Sequence, residues 1–247
     1  MHYRAFVIAS CGLFAASGAM GGLIGASDIL DLQVVSESGT WNLADNLGTV
    51  TNFQQDGTGT WIIEGVAQTS DWTMDWGFEV NQADAARGLD SASISSSFAF
   101  TNTTGNDAAL FEVIGNALVG ALSGPTTQTG SISGSLGSGN PLVETAMLST
   151  PTGDFLFTGL VDGAGVQTLL DDSFGLSTNL TASFGPANNL NLPGGGVLST
   201  IGIRHSFGLT DGDNAQFAGV FLVTEVPAPG AAALLGLGGL AATRRRR

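Results

Sequence analysis

Three features in the body of this chain could do chemistry by residue type and spacing: one histidine, one acidic loop and one acidic strand face. His205 lies in the run Ile201, Ile203, His205, Phe207, Leu209, so a strand would point it inward with the core residues. A histidine-dependent triad needs a nucleophile at its side. The chain has no G-x-S-x-G elbow, and its single cysteine, Cys11, belongs to the N-terminal apolar segment. His205 is expected to be a buried histidine bonded to a neighbour. One histidine without cysteines also leaves mainly carboxylates for zinc, a poor structural set.

Calcium is the metal that fits best, because it takes several oxygens and tolerates loop geometry. Asp211-Gly212-Asp213-Asn214 has the short D-x-D spacing and Asp171-Asp172 is a second acidic pair. Asp211 and Asp213 are therefore the calcium candidates, and no other cofactor is expected. Asp-Gly and Asn are equally what a hairpin turn demands, and the glutamate that closes an EF-hand loop is missing. A glycosidase would need two carboxylates about 5 or roughly 6.5–9.5 Å apart. Asp71, Asp75 and Glu79 are each four residues apart, about 13 Å in a strand, so any partner must come from a neighbouring strand. Of the aromatics that could stack on sugars, Trp72 and Trp76 alternate with core residues, while Trp41 and Trp61 fit either core or surface.

The elements that must position these residues read as strands. Asp71 to Val80 is the clearest, with Trp72, Met74, Trp76, Phe78 and Val80 on one face and Asp71, Thr73, Asp75, Gly77 and Glu79 on the other. Ala92, Ile94, Phe98 and Phe100 alternate with Ser91, Ser93, Ser95 and Ser97. Asp56-Gly57 between Thr40–Phe53 and Thr58–Gln68 signals a hairpin. Residues 83–87 suit a short helical turn. Ala108 to Val119, apolar on both faces, suits a central strand better than a helix because of Gly115 and its β-branched residues. Ser123 to Asn140 is low in complexity and fits an exposed strand or a loop. Further strands are expected at Ile29–Val35, Glu144–Leu148, Asp154–Val161, Val166–Leu170, Leu176–Phe184, Val197–Leu209 and Ala215–Val226, with a turn cluster from Gly185 to Gly196. The fold class is all-β: an antiparallel β-sandwich, with a jelly roll among the topologies that fit.

Composition excludes other classes. There is no lysine, and of the seven arginines only Arg87 and Arg204 lie between the two end segments, against 21 carboxylates, a net charge near −19 for the body. Nucleic acid is excluded as a partner, since phosphate binding rests on Lys/Arg neutralisation. The body can form no disulfide, and about 200 residues need none.

The ends read as addresses. Met1 to Arg4, an apolar run from Ala5 to Ala16 and small residues at Ser17-Gly18-Ala19 describe a signal peptide, with Ile24-Gly25-Ala26 a second cleavage site. A lipobox before Cys11 is the rival reading, but too few residues precede that cysteine. The expected organisation is signal peptide 1–26, sandwich domain 27–225 and tail 226–247. Gly230 to Ala242 spans 13 residues, roughly 20 Å as a helix against a hydrocarbon core about 30 Å thick, so a transient stop fits better than an anchor. Arg244, Arg245, Arg246 and Arg247 would stay cytoplasmic, placing the body beyond the membrane.

Val226-Pro227-Ala228-Pro229-Gly230, a short apolar sorting helix and a terminal arginine cluster, together with a signal peptide, resemble the PEP-CTERM sorting proteins of Gram-negative bacteria. Ala228 stands where that family has glutamate. Gly238-Gly239 also resembles the GlyGly-CTERM class, in which the glycines precede the apolar run. The resemblance covers the tail and implies recognition by an exosortase-like enzyme, removal of the tail after transient membrane contact, and delivery to the cell surface or extracellular matrix beside exopolysaccharide. Phe98–Asn102 and Phe207–Asp213 resemble β domains found in such proteins. The expected function is a structural or adhesive surface protein without catalysis; a secreted carbohydrate-binding or carbohydrate-active protein is the alternative.

Overall fold

The computed structural model describes residues 24–56, 58–82, 90–139 and 145–226. The expected signal peptide, the 83–87 turn and the tail beyond Val226 lie outside them. A four-residue helix, α1 (Ala26–Ile29), leads into β1 (Leu30–Ser36), which folds back as β2 (Gly39–Asn42). Two short 3-10 turns then reach a meander of β3 (Val50–Gln55), β4 (Thr60–Gln68), β5 (Trp72–Asn81) and β6 (Ser91–Asn102). Next come β7 (Ala109–Leu118), β8 (Thr126–Gly137), β9 (Ala146–Ser149), β10 (Phe157–Val161), β11 (Ala164–Leu169) and β12 (Gly175–Thr178). The long strands β13 (Thr181–Gly194), β14 (Thr200–Leu209) and β15 (Asn214–Glu225) finish the body.

These strands form two antiparallel sheets. The first runs β11-β10-β14-β7-β1-β2, with β9 against β14 and β12 against β9; the second runs β13-β8-β15-β6-β5-β4-β3. The chain is an all-β sandwich. Period-two burial explains why the sheets stack: in β5 Trp72, Met74, Trp76, Phe78 and Val80 are buried and the intervening residues are not. On β6 the same alternation buries Ala92, Ile94, Phe98 and Phe100, so one face of each strand leaves water and meets the other sheet.

Many inward positions are glycine, and packing explains why. A Cβ on Gly115 of β7 would come within 2.5 Å of the Phe78 ring from the opposite sheet, and one on Gly159 of β10 within 2.6 Å of Phe221. Each glycine is the socket for an aromatic ring. Gly115→Ala should cost about 1–3 kcal/mol by overpacking, read as a lower urea midpoint with unchanged slope. An unchanged midpoint would contradict the socket.

Three regions differ from expectation. Ser123–Asn140 contains β8, a 12-residue strand paired on both sides, with β13 and β15. Its glycines admit neighbours that a side chain would exclude: Phe157 and Gln167 crowd Gly130, and Phe184 covers Gly134. The turn expected over Gly185–Gly196 is mostly strand, because β13 continues to Gly194. β13 is an edge strand whose register shifts between Phe184 and Ala187 and between Asn189 and Leu192. Pro186 falls in the first shift, and at an edge a missing N–H is tolerated. The segment Thr40–Phe53 is likewise divided into β2, the 3-10 turns and β3.

Candidate functional site

His205 is 1 % exposed. Its ring sits 5.1 Å from Phe98, 5.8 Å from Phe157 and 5.6 Å from Phe217, centroid to centroid. The Ser96 hydroxyl lies 3.3 Å from Nε2, while Nδ1 makes no hydrogen bond. Burial pushes its pKa down to about 3, and the nearby Leu156 backbone opposes the shift without closing a bond to Nδ1. The ring is neutral near pH 7 and sealed between the sheets, so it packs where sequence alternation put it.

Asp211 and Asp213 lie at one end of the sandwich and serve different partners. The Asp213 side chain is buried, accepting from Gly139 N at 3.0 Å and from the Thr210 hydroxyl. Asp211 Oδ1 accepts from Gly105 N at 2.7 Å. Asp171 closes its own turn through Ser173 N at 3.1 Å, and Asp172 takes Gly153 N at 3.1 Å. Each carboxylate thus ties a loop. Among the described residues no three His, Cys, Asp or Glu side chains converge as a metal-holding group.

The same end is organised by Asn102, fully buried at the end of β6. Its Nδ2 donates to Leu209 O at 2.7 Å and to Asn106 O at 3.1 Å. Its Oδ1 accepts from Thr104 N at 2.9 Å and the Thr104 hydroxyl at 2.8 Å. One side chain joins two loops. Asp71, expected on the wet strand face, instead ends the loop before β5 and accepts from the Ser36, Ser38 and Ser70 hydroxyls, which lower its pKa.

The outer face of the second sheet holds a shallow hollow of about 820 Å³. Strand register builds it. Ser135 of β8, Gln216 of β15, Ala99 of β6 and Asp75 of β5 form one row across the sheet; Ser133, Ala218, Ser97, Gly77 and Glu64 form the next. Glu64 therefore stands one row away from Asp75 on the adjacent strand, a diagonal pair roughly 7–8 Å apart at the backbone. This is the cross-strand partner that sequence alone left open. The polar part of the lining is hydroxyls, one amide and two carboxylates, groups suited to a hydroxyl-rich ligand, and Trp76, Phe98, Phe184 and Phe217 also border the hollow. Glu79 projects from the same face beyond the hollow.

The tryptophans all pack inward. Trp72 and Trp76 are buried; Trp41 meets Trp72 edge-on at 5.9 Å, and Trp61 stacks on Phe53 at 5.2 Å and 10°. On the outer face of the first sheet Arg204 pairs with Asp154 at 3.2 Å and Glu112 at 3.4 Å. Burial raises the Glu112 pKa against the pull of Arg204.

Sequence reasoning missed Glu64, Ser133, Ser135 and Gln216 as lining residues. Ser131, Ser133 and Ser135 do alternate with Gly130, Ile132, Gly134 and Leu136, a period-two signal hidden by low complexity. Of the expected sorting motif, Val226 is described and donates its N–H to Pro125 O at 2.8 Å. Pro227, Ala228, Pro229, Gly230 and Arg244 to Arg247 lie outside the described residues. No known family profile matches the chain, and no curated protein sequence does.

Proposed function

We propose that the chain is an exported structural or adhesive protein of the cell surface or extracellular matrix, without catalysis, sorted by an exosortase-like enzyme acting at Val226–Gly230. The observation that carries this reading is where the last described strand ends. β15 ends at Glu225, and the last backbone hydrogen bond of the body is donated by Val226. Cutting beyond Val226 removes none of the described strands and none of the described core residues, which supports a separable body and tail. An acidic surface with few cations and no body cysteine suits an exported, soluble product. Pro227→Ala with Pro229→Ala should leave the protein in the membrane fraction of its native cell. Release of that variant as efficiently as the parent would remove the motif from the account.

A second reading, carbohydrate binding, is favoured by the hollow on the second sheet. Its hydroxyls, Gln216 and the Glu64–Asp75 pair offer donors and acceptors for a neutral polyhydroxyl chain. Glu64→Gln with Asp75→Asn should weaken retention on a neutral polysaccharide matrix in affinity electrophoresis. Equal mobility of parent and variant in the presence and absence of polysaccharide would end this reading.

A further inference from the structure

We infer that the precursor stands on the lipid bilayer with one defined end down, the end carrying Val226 and the 195–199 loop, and that Leu198 touches the bilayer surface. The inference rests on the reading of the tail as a membrane-inserting segment and adds the orientation of the body. Hydrogen bonds fix what lies at that end. Val226 N donates to Pro125 O at 2.8 Å, the Thr126 hydroxyl donates to Gly195 O at 2.7 Å, and Leu122 and Val197 exchange backbone bonds of 3.0 and 2.9 Å. The chain exit and the 195–199 loop are therefore neighbours.

That loop is built rigidly. The Asp162 carboxylate accepts from Leu198 N at 2.8 Å, Ser199 N at 2.9 Å and Thr200 N at 3.0 Å. While Val197 is buried, Leu198 is turned outward and is 81 % exposed. A clamped loop that presents a leucine to water has an apolar contact available at no ordering cost.

Chain length brings the bilayer to it. Only four residues, hence five Cα-to-Cα steps, separate Val226 from Ala231 in the apolar run. Fully extended they reach at most roughly 17 Å, so once the run enters the hydrocarbon this end of the sandwich lies at the membrane surface. The opposite end, with Asn102, Asp211 and Asp213, then faces away and is left open to partners. Asp90 and Glu225, bonded to each other through their backbones at the lower end, favour a surface of low negative charge. Phosphatidylcholine is the appropriate lipid.

The test uses the full chain in a Cys11→Ser background on phosphatidylcholine vesicles carrying nitroxide-labelled acyl chains. An environment-sensitive fluorophore is placed at Leu198→Cys or, as a control, at Leu180→Cys, a leucine 69 % exposed at the opposite end. The expected result is co-flotation with vesicles and about two-fold or stronger quenching at position 198, with little at 180. Co-flotation with equal quenching at the two positions, or none at 198, overturns the orientation and leaves the tail reading standing. Failure to co-float overturns the tail reading and this inference with it.

Discussion

Lowering the pH from 7 to 4 should remove about 3 kcal/mol of folding stability through His205 alone. The unfolded histidine takes a proton near 6.5, whereas the folded one, desolvated among Phe98, Phe157 and Phe217, resists until about 3. Between those values the unfolded state binds the extra proton, so stability falls with falling pH, by about 1.4 kcal/mol for each pH unit. The contribution is fully present above 6.5. Asp56, Asp71, Asp162 and Asp171 act in a lower window, because their folded pKa values are depressed and their stabilisation is lost only as pH drops below about 4. Glu112, raised by burial, gains rather than loses as it protonates. Urea denaturation at pH 7.5, 6, 5 and 4 resolves the histidine window, and His205→Leu should flatten the dependence between 6.5 and 4. The same slope in both proteins would contradict the assignment.

Asn102→Ala should cost about 3–5 kcal/mol, because the loss is of partners left buried as much as of bonds. Leu209 O loses its 2.7 Å donor, and Thr104 N and its hydroxyl lose a common acceptor. The Asn102 side chain ties the Thr103–Ala108 loop to the end of β14, beside the direct bond from Gly105 N to Asp211 Oδ1 that joins this loop to Thr210–Asp213. Hydrogen exchange should rise in both together. A stability change within about 0.5 kcal/mol, the range of surface substitutions, would show that the loops are secured elsewhere.

The inward faces of β5, β6 and β14 were legible in the sequence, since bulky side chains at period two leave one placement for each residue, whereas β7, apolar on both faces, read only as a strand. His205 was legible for the same reason. β8 and β13 were not, because Gly, Ser and Pro carry little hydrophobic signal of their own. Their pairing is fixed by rings such as Phe157 and Phe184 that fill the space above the glycines. The hollow was hidden for a different reason. Ser97, Ser133 and Gln216 become neighbours only through the registers of β6, β15 and β8, and the Glu64–Asp75 diagonal needs the register of β4 on β5. The Arg204 cluster joins residues 50 and 92 positions apart in the chain, a separation that no local pattern records.

On the proposed function, the working protein is the sandwich without its tail. Intact-mass measurement of the protein recovered from the surface or surroundings of its native cell tests it most directly. The expected product is a chain that ends within or just after Val226–Gly230 and lacks Arg244 to Arg247. A product retaining all four terminal arginines, or a protein confined to the cytoplasm, would contradict it.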